Sequence, residues 1–124
     1  MKPRTETEAH ECGAISDTLS RIGDKWSVLV IVQLGEGPLR FGELRREIGN
    51  ISQKMLTTTV RGLERDGFLT RTVTPTIPPR VDYELTELGR ELLGPIRGVV
   101  DFARRNQLEI SAARARFDLR GAAA

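Results

Sequence analysis

The sequence predicts a mainly α-helical α+β domain that carries one small β-hairpin. Three observations predict it. Apolar residues recur at helical spacing through most of the 124 residues, capping residues and glycines divide those stretches into short segments, and near Phe68 the period changes to that of strands. A chain this long supports one hydrophobic core and buries roughly two-thirds of the surface it exposes when unfolded. Hydrophobic residues make up 39% and charged residues 29%, a balance that excludes wholesale disorder. We expect a flexible N-terminal tail over 1–11, one domain over 12–120, and a short tail over 121–124.

The elements follow in chain order. Ile15, Leu19 and Ile22 keep helical spacing and stop at Gly23, a C-terminal cap. Asp24 can cap the next run, from Lys25 to Leu34. Its β-branched residues favour a buried strand, whereas its cap and ten-residue length favour a buried helix, and composition leaves both open. Phe41, Leu44 and Ile48 form one apolar stripe on a short helix that closes at Gly49-Asn50. Ser52 is an N-cap for a helix running to about Asp66, with Gly67 past its end. Two short helices joined by a tight glycine-containing turn make a helix-turn-helix candidate.

Phe68 to Thr74 is rich in Thr and Val, and from Arg80 to Leu85 the residues alternate, with Val81, Tyr83 and Leu85 on one face. Between them Pro75, Pro78 and Pro79 make a stiff tip that cannot continue a ladder. Thr86 caps the last helical region, which Gly94-Pro95 should kink or divide. Beyond it Ile96, Val99, Val100, Ala103, Ile110, Ala113 and Phe117 recur at helical spacing, with Phe102 and Leu108 off the stripe. A terminal helix that is apolar on more than one side has more to bury than one small domain covers, which points to a partner chain.

Composition removes several functions. One His and one Cys cannot build a zinc site from nitrogen and sulfur ligands, and a catalytic triad has little to stand on with His10 in a polar N-terminal stretch. We therefore expect no enzyme, no metal and no cofactor. A lone cysteine forms no internal disulfide, no apolar run reaches the ~18 residues of a membrane span, and the first residues lack a secretory signal. The expected compartment is cytoplasmic, without a membrane partner. The net charge of +2 is uneven: residues 1–39 sum to −2, 40–71 to +3, 72–89 to −2 and 90–124 to +3. A basic middle between acidic flanks presents a local field to an anionic partner.

The helix after Ser52 carries the most information. At about 100° per residue, Gln53, Lys54, Thr57, Thr58, Arg61 and Arg65 fall within an arc of about 140°. Met55, Leu56, Thr59, Val60 and Leu63 fill the opposite arc, and Glu64 lies near the far edge. The polar arc holds only amide, hydroxyl and basic groups, whereas a merely solvated face would mix acids among them. Such a face suits a DNA major groove: Gln pairs with adenine, Arg and Lys with guanine, and Thr donates to a base edge or packs its methyl on that of thymine. Ser52 and the first free amides can hold a phosphate. Arg71 and Arg80, beside the proline tip, suit phosphate or minor-groove contact, with a cross-strand salt bridge as the rival role for Arg80. The DNA-binding set is Arg40, Ser52, Gln53, Lys54, Thr57, Thr58, Arg61, Arg71, Pro79 and Arg80.

Six ordered stretches resemble the HxlR-type winged helix-turn-helix transcriptional regulators: Gly23–Trp26, Leu39–Leu44, Ile51–Leu56, Leu63–Gly67, Pro78–Tyr83 and Leu85–Gly89. The resemblance spans residues 12–105. It implies a winged helix-turn-helix fold, a homodimer joined through its terminal helices, a cytoplasmic bacterial DNA-binding protein, and a helix for the run from Trp26 to Leu34. The dimer-interface candidates are Ile15, Leu19, Ile96, Val99, Val100, Phe102 and Ala103. Family members commonly carry an N-terminal cysteine, which Cys12 matches, and some sense oxidants or electrophiles through it. A place just before a helix N-terminus would favour the thiolate; adjacent Glu11 opposes it, and Gly13-Ala14 replaces the family's usual Pro and aliphatic residue. The expected function is a sequence-specific regulator of double-stranded DNA that binds an inverted repeat as a dimer and responds to oxidants or to a small ligand. The alternative is a winged-helix protein–protein interaction module without DNA binding.

Overall fold

The computed structural model describes residues 6–123, with side chains from 11 to 122. It contains α1 (Glu6–Gly23), α2 (Lys25–Leu34), β1 (Leu39–Arg40), α3 (Phe41–Ile48), α4 (Gln53–Arg65), β2 (Leu69–Thr74), β3 (Arg80–Leu85), α5 (Glu87–Glu91), α6 (Leu93–Arg105) and α7 (Gln107–Ala123). The mainly α architecture with a hairpin after the helix pair is as the sequence predicts.

The central element is α2, whose Val30, Ile31 and Leu34 are buried beneath the helix pair. The ambiguous run is therefore a helix, and its cap explains how β-branched residues are held in one. Asp24 accepts from the Ser27 amide at 3.0 Å and from the Ser27 hydroxyl at 2.8 Å, which also satisfies a fully buried hydroxyl. Leu44 of α3, Leu56, Val60 and Leu63 of α4, and Ile51 in the turn close the core from one side. Phe68, Leu69, Tyr83 and Leu85 close it from the sheet, and Ile96 of α6 from the other end.

Local chemistry sets the entry and exit of α4. The Ser52 hydroxyl accepts from the Met55 amide at 3.0 Å. At the far end the amides of Gly67 and Phe68 donate to the carbonyls of Glu64 and Leu63, the two crossed bonds of a Schellman cap. That cap needs a left-handed residue, and Gly67 supplies it with φ 83°. Thr86 then fastens the hairpin exit here: its hydroxyl donates to the Gly67 carbonyl at 2.6 Å and accepts from the Gly89 amide at 3.0 Å.

The hairpin belongs to a three-stranded antiparallel sheet of order β1-β3-β2. Leu39 pairs with Tyr83, Arg71 with Tyr83 from the other side, and Thr74 with Arg80 at the tip. The two-residue β1 was not anticipated, because so short a strand has no periodicity to read. Tyr83 and Leu85 face the core as expected and Val81 is half-buried.

Other expectations are corrected. Residues 6–11, expected in a flexible tail, are helical, and residues 1–5 lie outside the described residues. At the other end α7 runs through Gly121 to Ala123, where a tail was expected, and Ala124 lies outside the described residues. The terminal helix divides at Leu92, ahead of Gly94-Pro95; Pro95 sits in the first turn of α6, where its missing N–H costs no helical bond. It divides again at Asn106, whose side-chain amide donates to the Phe102 carbonyl at 2.9 Å. Ile96, expected at a dimer interface, is 1% exposed and belongs to the core of its own chain.

Candidate nucleic-acid interface

The outward face of α4 is the one the sequence predicts, with two differences. Ser52, Gln53, Lys54, Thr58 and Arg61 are exposed and Thr57 is half-buried, whereas Leu56, Thr59, Val60 and Leu63 are buried. Met55, assigned to the apolar arc, is 43% exposed, because the first turn of α4 projects beyond the body it packs on. Arg65, assigned to the polar arc, lines a groove against α1 with Asp17, Thr18 and Arg21. The hydroxyls of Thr57 and Thr58 donate to the carbonyls of Gln53 and Lys54 at 2.8 and 3.0 Å. With those protons committed to the helix, each threonine offers its partner a methyl group and an acceptor oxygen.

Two grooves join this face to the wing. In the first, Gln53, Thr57, Arg61 and Glu64 of α4 face Arg71, Val81 and Tyr83 of the sheet across Phe41. In the second, Arg40, Phe41 and Gly42 face residues 76–81 at the hairpin tip, including Pro79 and Arg80. Phe41 lines both, with its ring centroid 6.4 Å from that of Tyr83. Seven of the ten DNA-binding candidates thus line these two grooves, a furrow in two parts that share Phe41 and Val81, and Ser52, Lys54 and Thr58 stand on the ridge of α4 beside it.

Arg80 forms an ion pair at 3.0 Å with Asp82 along its own strand, in place of a cross-strand bridge. An exposed pair of this kind is worth about 0–1 kcal/mol, so the guanidinium is readily exchanged to a phosphate. Two features of the furrow escaped the sequence. Glu64, read as lying at the edge of the arc, shares the groove with Arg61 and Arg71. Ile77 stands fully exposed at the wing tip, where the sequence pattern singles out only the prolines.

This geometry has a counterpart among known proteins. A family profile described as "HxlR-like helix-turn-helix" matches residues 21–110. The chain belongs to the HxlR-like helix-turn-helix family. The HTH-type transcriptional regulator YtfH of Escherichia coli is 40% identical over 106 residues, covering 86% of this chain and 83% of that one. The solved structure of the regulator ytfH from Salmonella typhimurium aligns with a TM-score of 0.75 and 37% identity, covering 81% of this chain and 89% of that chain. The redox regulator HypR in its reduced form aligns with a TM-score of 0.74 and 35% identity, over 80% of this chain and 98% of that chain. YtfH is an HTH-type transcriptional regulator, and the HxlR-like chain described here belongs with such regulators, not with enzymes.

The remaining site candidates of this HxlR-like chain lie on the terminal helices. Ile15, Leu19, Val99 and Phe102 are each more than half exposed, Ala103 is exposed, and Val100 is half-buried against the core. Cys12 is half-buried, and it lies in the second turn of α1, not ahead of a helix N-terminus. It therefore stands beyond the first turn, to which the free amides of a helix N-terminus are confined. Among the described residues no three His, Cys, Asp or Glu side chains gather as a metal site, and no helix is long and apolar enough to cross a membrane.

Proposed function

We propose that this chain is a cytoplasmic, homodimeric regulator that binds an inverted repeat in double-stranded DNA, inserting α4 into the major groove and laying the β2–β3 wing on the backbone beside it. The observation that carries the reading is the groove in which Gln53, Thr57 and Arg61 of α4 run beside Arg71 of the wing, with Arg40 and Arg80 lining the neighbouring groove. Gln53 and Arg61 would read base edges, and Thr57 and Thr58 would present methyls to thymine. Ser52, Lys54, Arg40, Arg71, Pro79 and Arg80 would set register against phosphates and the minor-groove edge. The exposed apolar residues of α1 and α6 would join two copies, placing two α4 helices in successive major grooves about one helical turn apart.

Regulation is proposed to enter through α1. Cys12, Ile15 and Leu19 lie on one face of that helix, so oxidation or alkylation of the thiol would act where the two copies meet. The likeness to a redox regulator supports this role, and a small ligand between the dimer helices is the other form of effector the arrangement accommodates. The deciding experiment is recovery of genomic fragments by the purified, reduced protein at ~0.15 M salt, where weak nonspecific binding is suppressed. Enrichment of an inverted repeat is the expected result; a folded dimer that enriches nothing would instead favour a protein-interaction module.

A further inference from the structure

Arg21 and Gly62 form a contact that neither the DNA-binding face nor the dimer face uses. Arg21 occupies the last turn of α1, and its Nε donates to Asp66 Oδ2 at 2.8 Å, at the C-terminal cap of α4. The guanidinium lies against the α4 backbone at Gly62. A Cβ built there would stand 2.5 Å from Arg21 Nη1 and 2.8 Å from Cζ and Nη2, so the guanidinium, the free end of a long side chain, would have to swing aside. Glycine in a helix interior is unfavourable relative to alanine, so a glycine in the middle of α4 calls for a packing reason. Gly62 leaves the guanidinium room to lie flat on the backbone of α4. A guanidinium also complements the negative end of the α4 dipole.

We propose that Arg21 is a positioning residue that clamps α4 to α1 and so transmits the placement of the terminal helix to the DNA-reading helix. The inference rests on α4 being the reading helix. Its physical content is that α1 packs chiefly on α2 along the backbone, while Arg21 reaches past it to the end of α4. Whatever fixes α1 against a second copy thereby fixes the pitch of α4 in the groove. A loss of the clamp leaves phosphate attraction intact and degrades the alignment of Gln53 and Arg61 with base edges.

The test uses the full chain and three variants, Arg21→Ala, Gly62→Ala and the double variant. Two readouts are followed: the ratio of affinities for a selected genomic fragment and for unrelated DNA at the same salt, and hydrogen exchange at the α4 amides from Leu63 to Gly67 in the free protein. Arg21→Ala is expected to lower the affinity ratio about tenfold and Gly62→Ala, which only pushes the guanidinium aside, by less, with binding to unrelated DNA unchanged in both. The double variant should be no worse than Arg21→Ala, because with the guanidinium deleted the added methyl has nothing to displace. Faster exchange at the end of α4 should accompany both. An unchanged affinity ratio in a folded Arg21→Ala protein, or additive losses in the double variant, overturns the proposal. If the parent protein selects no DNA, the reading of α4 fails by itself; exchange then still tests the clamp, and unchanged protection in Arg21→Ala discards it.

Discussion

At the scale of single residues, the furrow sets Arg61 and Glu64 within one turn of each other, facing Arg71. Their roles in DNA binding differ in sign. Arg61→Ala is expected to weaken a selected site by ~1–3 kcal/mol and to relax preference at one base position. Competition assays on a set of single-base variants of that site check this, and an unaltered preference profile would reject base contact by Arg61. Glu64→Gln removes a negative charge facing phosphate, so affinity for unrelated DNA should rise, and its fall with added salt should become steeper. If instead Glu64 accepts from a cytosine amine, the same variant loses preference at one C·G pair, which the same assay detects. The sequence revealed that α4 has an outward face of amides, hydroxyls and bases because that depends on helical period alone. It did not reveal that Glu64 shares the groove, because the sheet bearing Arg71 and Val81 widens the accessible arc from across the gap. Nor did it reveal that Thr57 and Thr58 spend their protons on the helix, since both rotamers suit the same sequence.

At the scale of elements, caps rather than propensities decide the structure. The stretch from Trp26 to Leu34 is strand-like by composition, yet Asp24 starts a helix there through two bonds to Ser27. Asp24→Ala should therefore destabilise the domain by about 1–2 kcal/mol, more than an exposed cap, because it also strands the buried Ser27 hydroxyl. Urea titration followed by circular dichroism measures the loss; a shift below a few tenths of a kcal/mol would mean that α2 is held by packing alone. Asp24, Ser52, Thr86, Gly67 and the proline tip were all legible, because each acts within four residues of itself. Boundaries that depend on distant contacts were not. The β1 strand exists only through its pairing with Tyr83 and Asp82 of β3, more than forty residues away.

At the scale of the whole molecule, the question is what covers the terminal helices. Ile15 and Leu19 on α1, Val99 and Phe102 on α6, and Leu108, Phe117 and Leu119 on α7 are each more than half exposed in the single chain. These large apolar side chains on the terminal helices, outside the core that α2 to α4, the sheet and Ile96 of α6 close, are the surface on which the proposed second copy would dock. Ile96 gives the contrast, since it lies on the same helix as Phe102 and is almost wholly buried. Phe102→Asp is expected to leave the far-ultraviolet spectrum and melting behaviour of the isolated chain near normal. It should also raise the dimer dissociation constant at least tenfold, the scale of a buried aromatic anchor. Sedimentation velocity across a dilution series reads that change directly. Ile96→Asp should instead unfold the domain, because a carboxylate would enter a core with no partner for it. A dimeric site then gives a second, coupled outcome. Phe102→Asp should bind a single half-site as well as the parent chain does, yet lose the gain the parent makes from two half-sites on one duplex, since that gain comes from tethering the two α4 helices. Dimers that persist unchanged in Phe102→Asp would move the interface away from α6, toward the apolar residues of α1 and α7.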